Sequence, residues 1–281
     1  MNINKTNPCL YIVATPIGNL QDISLRALAI LKEVDYILCE DTRVTKKLLS
    51  HFKITTPMIS YHTYNEDFRT EEVLSLLEKN INIALVSDAG TPLISDPGYP
   101  LITRALEKNY QIISIPGANA ALSALVASGL PADKYLFYGF LSSRKNKRRL
   151  EITKLQTFPY TIIFYEAPHR INDTLNDLYE LLGSRQIVVA KEITKIYEQY
   201  FRGSVDEIKD LNYKGELVIV LKGASSEEQT KKYLDLPLLE HLKYYEDLGL
   251  EQKEAMKKVA SERKISKSIV YKALIEEKKL K

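Results

Sequence analysis

The densest chemistry in the chain lies in an eleven-residue stretch, Asp88 to Gly98, which reads DAGTPLISDPG. Its glycines and prolines bar a helix or a central strand, and its aspartates put two carboxylates on a loop. Two charged clusters come later: Glu166, His169 and Arg170 follow one apolar run, and Lys191 and Glu192 follow the next. If those runs are strands, both clusters reach one cleft, either as acid–base and anion-holding groups or as structural ion pairs. A third feature is cationic. Arg144, Lys145, Lys147, Arg148 and Arg149 place five basic residues in six, beside Tyr135, Phe137, Tyr138 and Phe140. That mixture suits a nucleic-acid backbone, with a merely solvated helix face as the competing reading. Arg43, with Lys46 and Lys47, extends the cationic surface.

What is missing narrows the chemistry. The chain has no GxxxxGK[ST], and its first strand runs into TPIGNLQD instead of GxGxxG, which disfavours ordinary ATP or NAD use. His51, His62, His169 and His241 show no metal-ligand spacing with one another or with Cys9 and Cys39, so no metal is expected.

The elements that must position these residues alternate as in βαβ units. Strands are expected at Leu10–Ala14, Tyr36–Cys39, Ile83–Ser87 and Gln111–Ile115, and helices at Ile23–Leu31, Thr42–His51, Glu66–Lys79, Tyr99–Lys108 and through ANAALSALVAS to Ser128. Three loops then share the carboxyl edge of one sheet: Ala14 to Leu20, Asp88 to Gly98, and Pro116 to Ala120. Open α/β sheets bind ligands at that edge, and the last loop brings small residues to a helix N-terminus with free N–H groups. A second α/β series follows Gly129, with strands Tyr135–Leu141, Tyr160–Glu166, Gln186–Glu192, Glu198–Gly203 and Gly215–Gly223 and helices Ser143–Gln156 and Pro168–Leu182. Adjacent strands without intervening helices imply a mixed sheet. The expected organisation is an α/β domain over residues 1–128, a second over 129–223, a polar linker over 224–235 and a helical unit over 236–281. In that last unit three helices resemble a helix-turn-helix, packed through Ala255, Val259, Ala260, Ile269, Val270 and Leu274.

With 281 residues and 45% hydrophobic composition the chain can bury a core in each of about two domains. A net charge of +3 does not by itself announce a nucleic-acid partner, so any basic surface must be local. Two cysteines in apolar strands read as reduced core thiols, and MNINKTNPCL lacks the apolar segment of a signal peptide. A cytoplasmic protein with no membrane role is expected.

TPIGNLQD, EDTR at Glu40–Arg43, SDAGTPLISDPGYP at Ser87–Pro100, PGANA at Pro116–Ala120, FYEAPHR at Phe164–Arg170 and AKEITKIYEQYFRG at Ala190–Gly203 together resemble the tetrapyrrole methylase superfamily. Within it they resemble the small-subunit ribosomal RNA methyltransferases, from Leu10 to Gly223. The resemblance implies a two-domain tetrapyrrole-methylase-like fold, S-adenosylmethionine (SAM) as methyl donor, and the ribose 2′-hydroxyl of a decoding-centre cytidine as acceptor. It also implies a homodimer. By the same resemblance Pro16, Gly90, Thr91, Pro92, Ile94, Asn119, Ala120, Phe164 and Tyr165 are expected around SAM, with Thr91 standing where relatives carry an acidic residue. Tyr61–Glu66 resembles the family's Tyr-His-x-His-Asn-Glu, but Tyr64 replaces the second histidine, so no histidine can act there.

Methylating a ribose hydroxyl requires alignment with the methyl group and removal of a proton. Glu166 or Glu192 is the expected acceptor, with Lys191 and Arg170 on phosphates or developing charge. Arg43, Arg144, Lys145, Lys147, Arg148 and Arg149 are the expected RNA contacts. Two alternatives stand beside this reading: a methylase of the same fold acting on a tetrapyrrole or a protein, and a non-catalytic nucleic-acid-binding regulator built on the tail.

Overall fold

The computed structural model describes residues 8–226, 228, 234, 236–247 and 249–280. Residues 227, 229–233 and 235 of the expected linker lie outside the described residues.

The first sheet is built from β1 (Cys9–Val13), β2 (Tyr36–Cys39), β3 (Met58–Ser60), β4 (Ile83–Leu85) and β5 (Gln111–Ile115), in the order β3-β2-β4-β1-β5. Every pairing in it is parallel. Parallel sheets are covered on both faces, which is why β1 is buried at every position and reads as an unbroken apolar run. One face packs Ala27, Ile30 and Leu31 of α1 (Leu25–Glu33) with Leu49 of α2 (Thr42–His51). The other packs Val73, Leu74 and Leu77 of α3 (Glu66–Glu78) with Leu101 and Ala105 of α4 (Tyr99–Glu107). Side-chain caps start the helices: Ser24 accepts from the Ala27 N–H at 3.0 Å, and Asp41 from the Arg43 N–H at 2.8 Å. β3 has only three residues after Pro57 and carries no usable period, so nothing in the local sequence pattern marks it as a strand.

After α5 (Ala120–Ser128), Gly129 adopts φ +79°, a left-handed turn that ends the helix. The second sheet runs β6-β7-β10-β8-β9, from β6 (Tyr135–Phe140), β7 (Thr161–Glu166), β8 (Gln186–Lys191), β9 (Gln199–Ser204) and β10 (Leu217–Leu221). β6 and β7 are parallel and the other pairings antiparallel, giving the mixed sheet. α6 (Lys145–Leu155) and α7 (Ile171–Leu182) cover one face over Ile162, Phe164 and Ile219. α8 (Val205–Ile208) is a single turn closed by a capping box between Ser204 and Glu207; the S-x-x-E spacing is its sequence signal.

The tail folds as α9 (Leu238–Asp247), α10 (Gln252–Glu262) and α11 (Lys267–Leu280) around Leu242, Ala255, Val259 and Val270. Ile269 is 48% exposed, against its expected packing role, because adjacent helical positions diverge by about 100° and Val270 takes the inward direction.

Candidate active site

The loops after β1 and β4 are laced together at the carboxyl edge of their sheet. The Thr15 N–H donates to the Gly90 carbonyl at 2.8 Å, and the Gly90 N–H returns a bond to the Thr15 carbonyl at 3.0 Å. The third loop joins through Thr91, whose hydroxyl donates to the Ala118 carbonyl at 3.1 Å. Gly90 needs its φ of +84°, and a Cβ there would lie 3.2 Å from Ile17 Cγ2. Leu93 and Ser95 also hold positive φ, 71° and 69°, in a region that branched or large residues rarely adopt. The far end of the loop is pinned by Glu66, which accepts from the Gly98 N–H at 2.7 Å.

Between this edge and the second sheet lies a cavity of about 420 Å³. Gly90, Thr91, Ile94, Ala120 and Tyr165, which the resemblance places around SAM, line it. Phe164 does not. Its side chain is 1% exposed and sits in the opposite core, because neighbouring strand residues face opposite sides and Tyr165 takes the cavity side beside Val218. Pro16, Pro92 and Asn119 are also absent from the wall; Asn119 instead caps α5 by accepting from the Leu122 N–H at 3.0 Å. Ile17, Phe140, Ile193 and Leu217 complete an apolar lining that the motifs did not reveal, since most of it comes from the second sheet.

The expected catalytic groups separate. Glu166 reaches the cavity wall but is buried and saturated: Oε1 accepts from the Ala167 N–H at 2.8 Å and from Arg170 Nε and Nη2 at 2.9 and 2.6 Å, and Oε2 from the Thr174 hydroxyl at 2.6 Å. Arg170 is thereby spent on Glu166 and on the Leu141 carbonyl at 3.1 Å. Lys191 ends β8 and does not line the cavity. Glu192 lies outside it too, holding the Glu216 N–H at 2.8 Å and Lys195 Nζ at 3.0 Å. The Glu216 amide and the Lys195 ammonium keep the Glu192 carboxyl below its ordinary range, which makes it a poor base.

Three carboxylates that had no assigned role line the cavity, Asp88, Asp96 and Glu216. Desolvation, helped by the Glu40 and Asp88 charges, pushes Asp96 up to about 6. Glu40 is itself raised, by burial and then by Asp88. Both aspartates of the loop were visible in the sequence, but not that both reach the cavity or that folding raises Asp96. Tyr64, at the departure from the family pattern, is 99% exposed at the rim of a neighbouring groove.

The cationic run is split by the geometry of α6. Arg144, Lys145 and Lys147 are exposed. Arg148 is 3% exposed and bonds Asp177 through Nε at 2.7 Å, which corrects its expected place on the RNA surface. Arg149 pairs with Asp177 at 2.8 Å and with Glu180. Arg43 is exposed and folds back on Asp41 at 2.6 Å.

A cavity at the carboxyl edge of a parallel α/β sheet, closed by a mixed second sheet, defines a class. Residues 9–209 match the model of the Tetrapyrrole (Corrin/Porphyrin) Methylases, and the chain belongs to that family of methyltransferase enzymes. It is 43% identical over 268 residues to the ribosomal RNA small subunit methyltransferase I of Halalkalibacterium halodurans, covering 93% of each chain. Proteins of the same name from Bacillus subtilis and Synechocystis sp. are 43% and 44% identical, over 94% and 95% of this chain and 93% and 97% of theirs. A solved cobalt precorrin-4 methyltransferase shares the fold at 16% identity and a TM-score of 0.59, covering 79% of this chain and 98% of that one. A uroporphyrin-III-C-methyltransferase from Thermus thermophilus does so at 16% and 0.56, covering 77% and 94%.

Proposed function

We propose that this methyltransferase transfers a methyl group from SAM to the ribose 2′-hydroxyl of a cytidine in small-subunit ribosomal RNA. The observation that carries the substrate is the 43–44% identity, over more than nine-tenths of each chain, to enzymes named for that RNA. The cavity suits SAM. Its apolar walls fit a nucleoside and methylene groups, the Asp88 and Asp96 carboxylates suit a cationic ligand, and Gly90 leaves backbone room that a side chain would take. SAM supplies an electrophilic methyl group on a sulfonium. Tyr165 and Phe140, with ring centroids 5.6 Å apart, form an aromatic wall of the cavity against which a nucleoside can pack.

The exposed Arg144, Lys145 and Lys147, which follow the cavity-lining Phe140 closely in the chain, are the cations this reading assigns to RNA phosphates. A homodimer belongs to the same reading, with Leu122 and Val126, exposed one turn apart on α5, as the apolar face for it. Among the described residues no helix is long and apolar enough to cross a membrane. A cytoplasmic location fits this function.

The test is mass spectrometry of ribose methylation in ribosomal RNA from cells with and without the gene. Loss of one methylated cytidine is expected, and an unchanged modification pattern would overturn the proposal.

A further inference from the structure

A ribose hydroxyl is a weak nucleophile, so its proton needs an acceptor that faces the cavity, keeps a free oxygen and titrates near neutrality. Four carboxylates line the wall: Asp88, Asp96, Glu166 and Glu216. Glu166 has its oxygens filled by Arg170, Thr174 and the Ala167 amide. Glu216 lies toward solvent, bound to Lys195 Nζ at 2.9 Å. Asp88 gives Oδ1 to the Asp41 N–H at 3.0 Å, fixing the start of α2. Asp96 forms no ion pair among the described residues and keeps only the Ser87 hydroxyl as a side-chain partner.

We propose that Asp96 is the catalytic base, taking the proton of the attacking ribose hydroxyl. The assignment rests on the methyl-transfer reading above and adds the residue that completes it.

The surroundings support the role. Glu40 and Asp88 approach from the first sheet and Tyr165 faces it from the second, where Glu166, neutralised by Arg170, also lines the wall. Burial, and then repulsion from the first two, raise Asp96 to about 6, close to the pH at which a carboxylate is both ionised and basic enough to work. Ser95, at φ 69°, precedes it, and Gly98, tied to Glu66, follows two residues later, so the backbone that aims it is fixed at both ends.

In the step, the hydroxyl oxygen forms a bond to the methyl carbon as the carbon–sulfur bond breaks, with its electron pair remaining on sulfur. The O–H bond breaks and its proton passes to Asp96. The products are the ribose methyl ether, a neutral thioether and a protonated Asp96, which returns the proton to water.

Three readouts test this on the full chain. The carbon-13 carboxyl titration of free enzyme, assigned by its loss in Asp96→Asn, should show one aspartate titrating near 6. Calorimetry should find SAM still bound by Asp96→Asn, weakened only by the lost attraction between one carboxylate and the cationic ligand. With SAM saturating and the subunits varied, methyl transfer to small subunits from cells lacking the gene should have a kcat/KM that falls tenfold per pH unit below an inflection at or below about 6, since the bound cation favours the ionised carboxylate. In Asp96→Asn the rate should be about 10²-fold lower and independent of pH over that range. Wild-type rate and profile in Asp96→Asn, an ordinary aspartate titration in the wild type, or loss of SAM binding in the variant would each overturn the assignment. Failure of the wild type to methylate the subunits would instead overturn the substrate reading, and the carboxyl titration would still judge Asp96.

Discussion

Arg148 and Asp177 form an ion pair between α6 and α7, Nε to Oδ2 at 2.7 Å, with both side chains almost completely buried. A buried pair that loses one partner leaves an uncompensated charge. Arg149 still holds Asp177 at 2.8 Å once Arg148 is removed, so Arg148→Ala should destabilise the protein in urea unfolding by less than the ~3–5 kcal/mol of a wholly orphaned partner, whereas replacing both Arg148 and Asp177 by apolar residues of similar volume should recover part of that loss. The single variant should keep its RNA salt dependence.

The exposed cations next to it should behave in the opposite way. Replacing Arg144, Lys145 and Lys147 by Gln should leave the unfolding midpoint and SAM affinity unchanged while weakening RNA binding. For every phosphate that these side chains neutralise in the wild type, the slope of log affinity against log salt should flatten by about 0.7–0.9 in the variant. An unchanged slope would reduce these residues to a solvated face.

Gly90→Val should abolish SAM binding by calorimetry. Valine resists φ +84°, and its Cβ begins 3.2 Å from Ile17 Cγ2 inside the laced loops. Full SAM affinity in a folded variant would remove this loop from the donor site.

Cys9 and Cys39 should resist alkylation in the native protein. Burial pushes both thiols up to about 11, so at pH 8 about one in a thousand is ionised, and reactivity should rise with pH up to that value. A thiol reagent followed by mass spectrometry should label both cysteines only after unfolding.

The proposed homodimer should appear in light scattering of the wild type, and Val126→Arg should convert it to a monomer, because Val126 is 76% exposed beside Leu122 on α5. A wild-type monomer would overturn the dimer, and a variant that keeps the dimer's mass would move the interface away from α5.

Local signals determined much of this protein from the sequence alone. The apolar runs and helical periods are short-range properties, which is why Thr42–His51 and Gln111–Ile115 coincide with α2 and β5. The Asp88–Gly98 loop is equally legible, since its Gly and Pro exclude regular structure whatever surrounds them. Partners distant in sequence had to be decided by tertiary structure. Phe164 and Tyr165 are equivalent as letters, and only the packing of the second sheet sends one into the core and the other into the cavity. Arg148 differs from Lys147 because Asp177, 29 residues away, waits beneath it. Asp96 stands apart from Glu166 for the same reason: a carboxylate's basicity depends on the charges and water around it, and folding sets both.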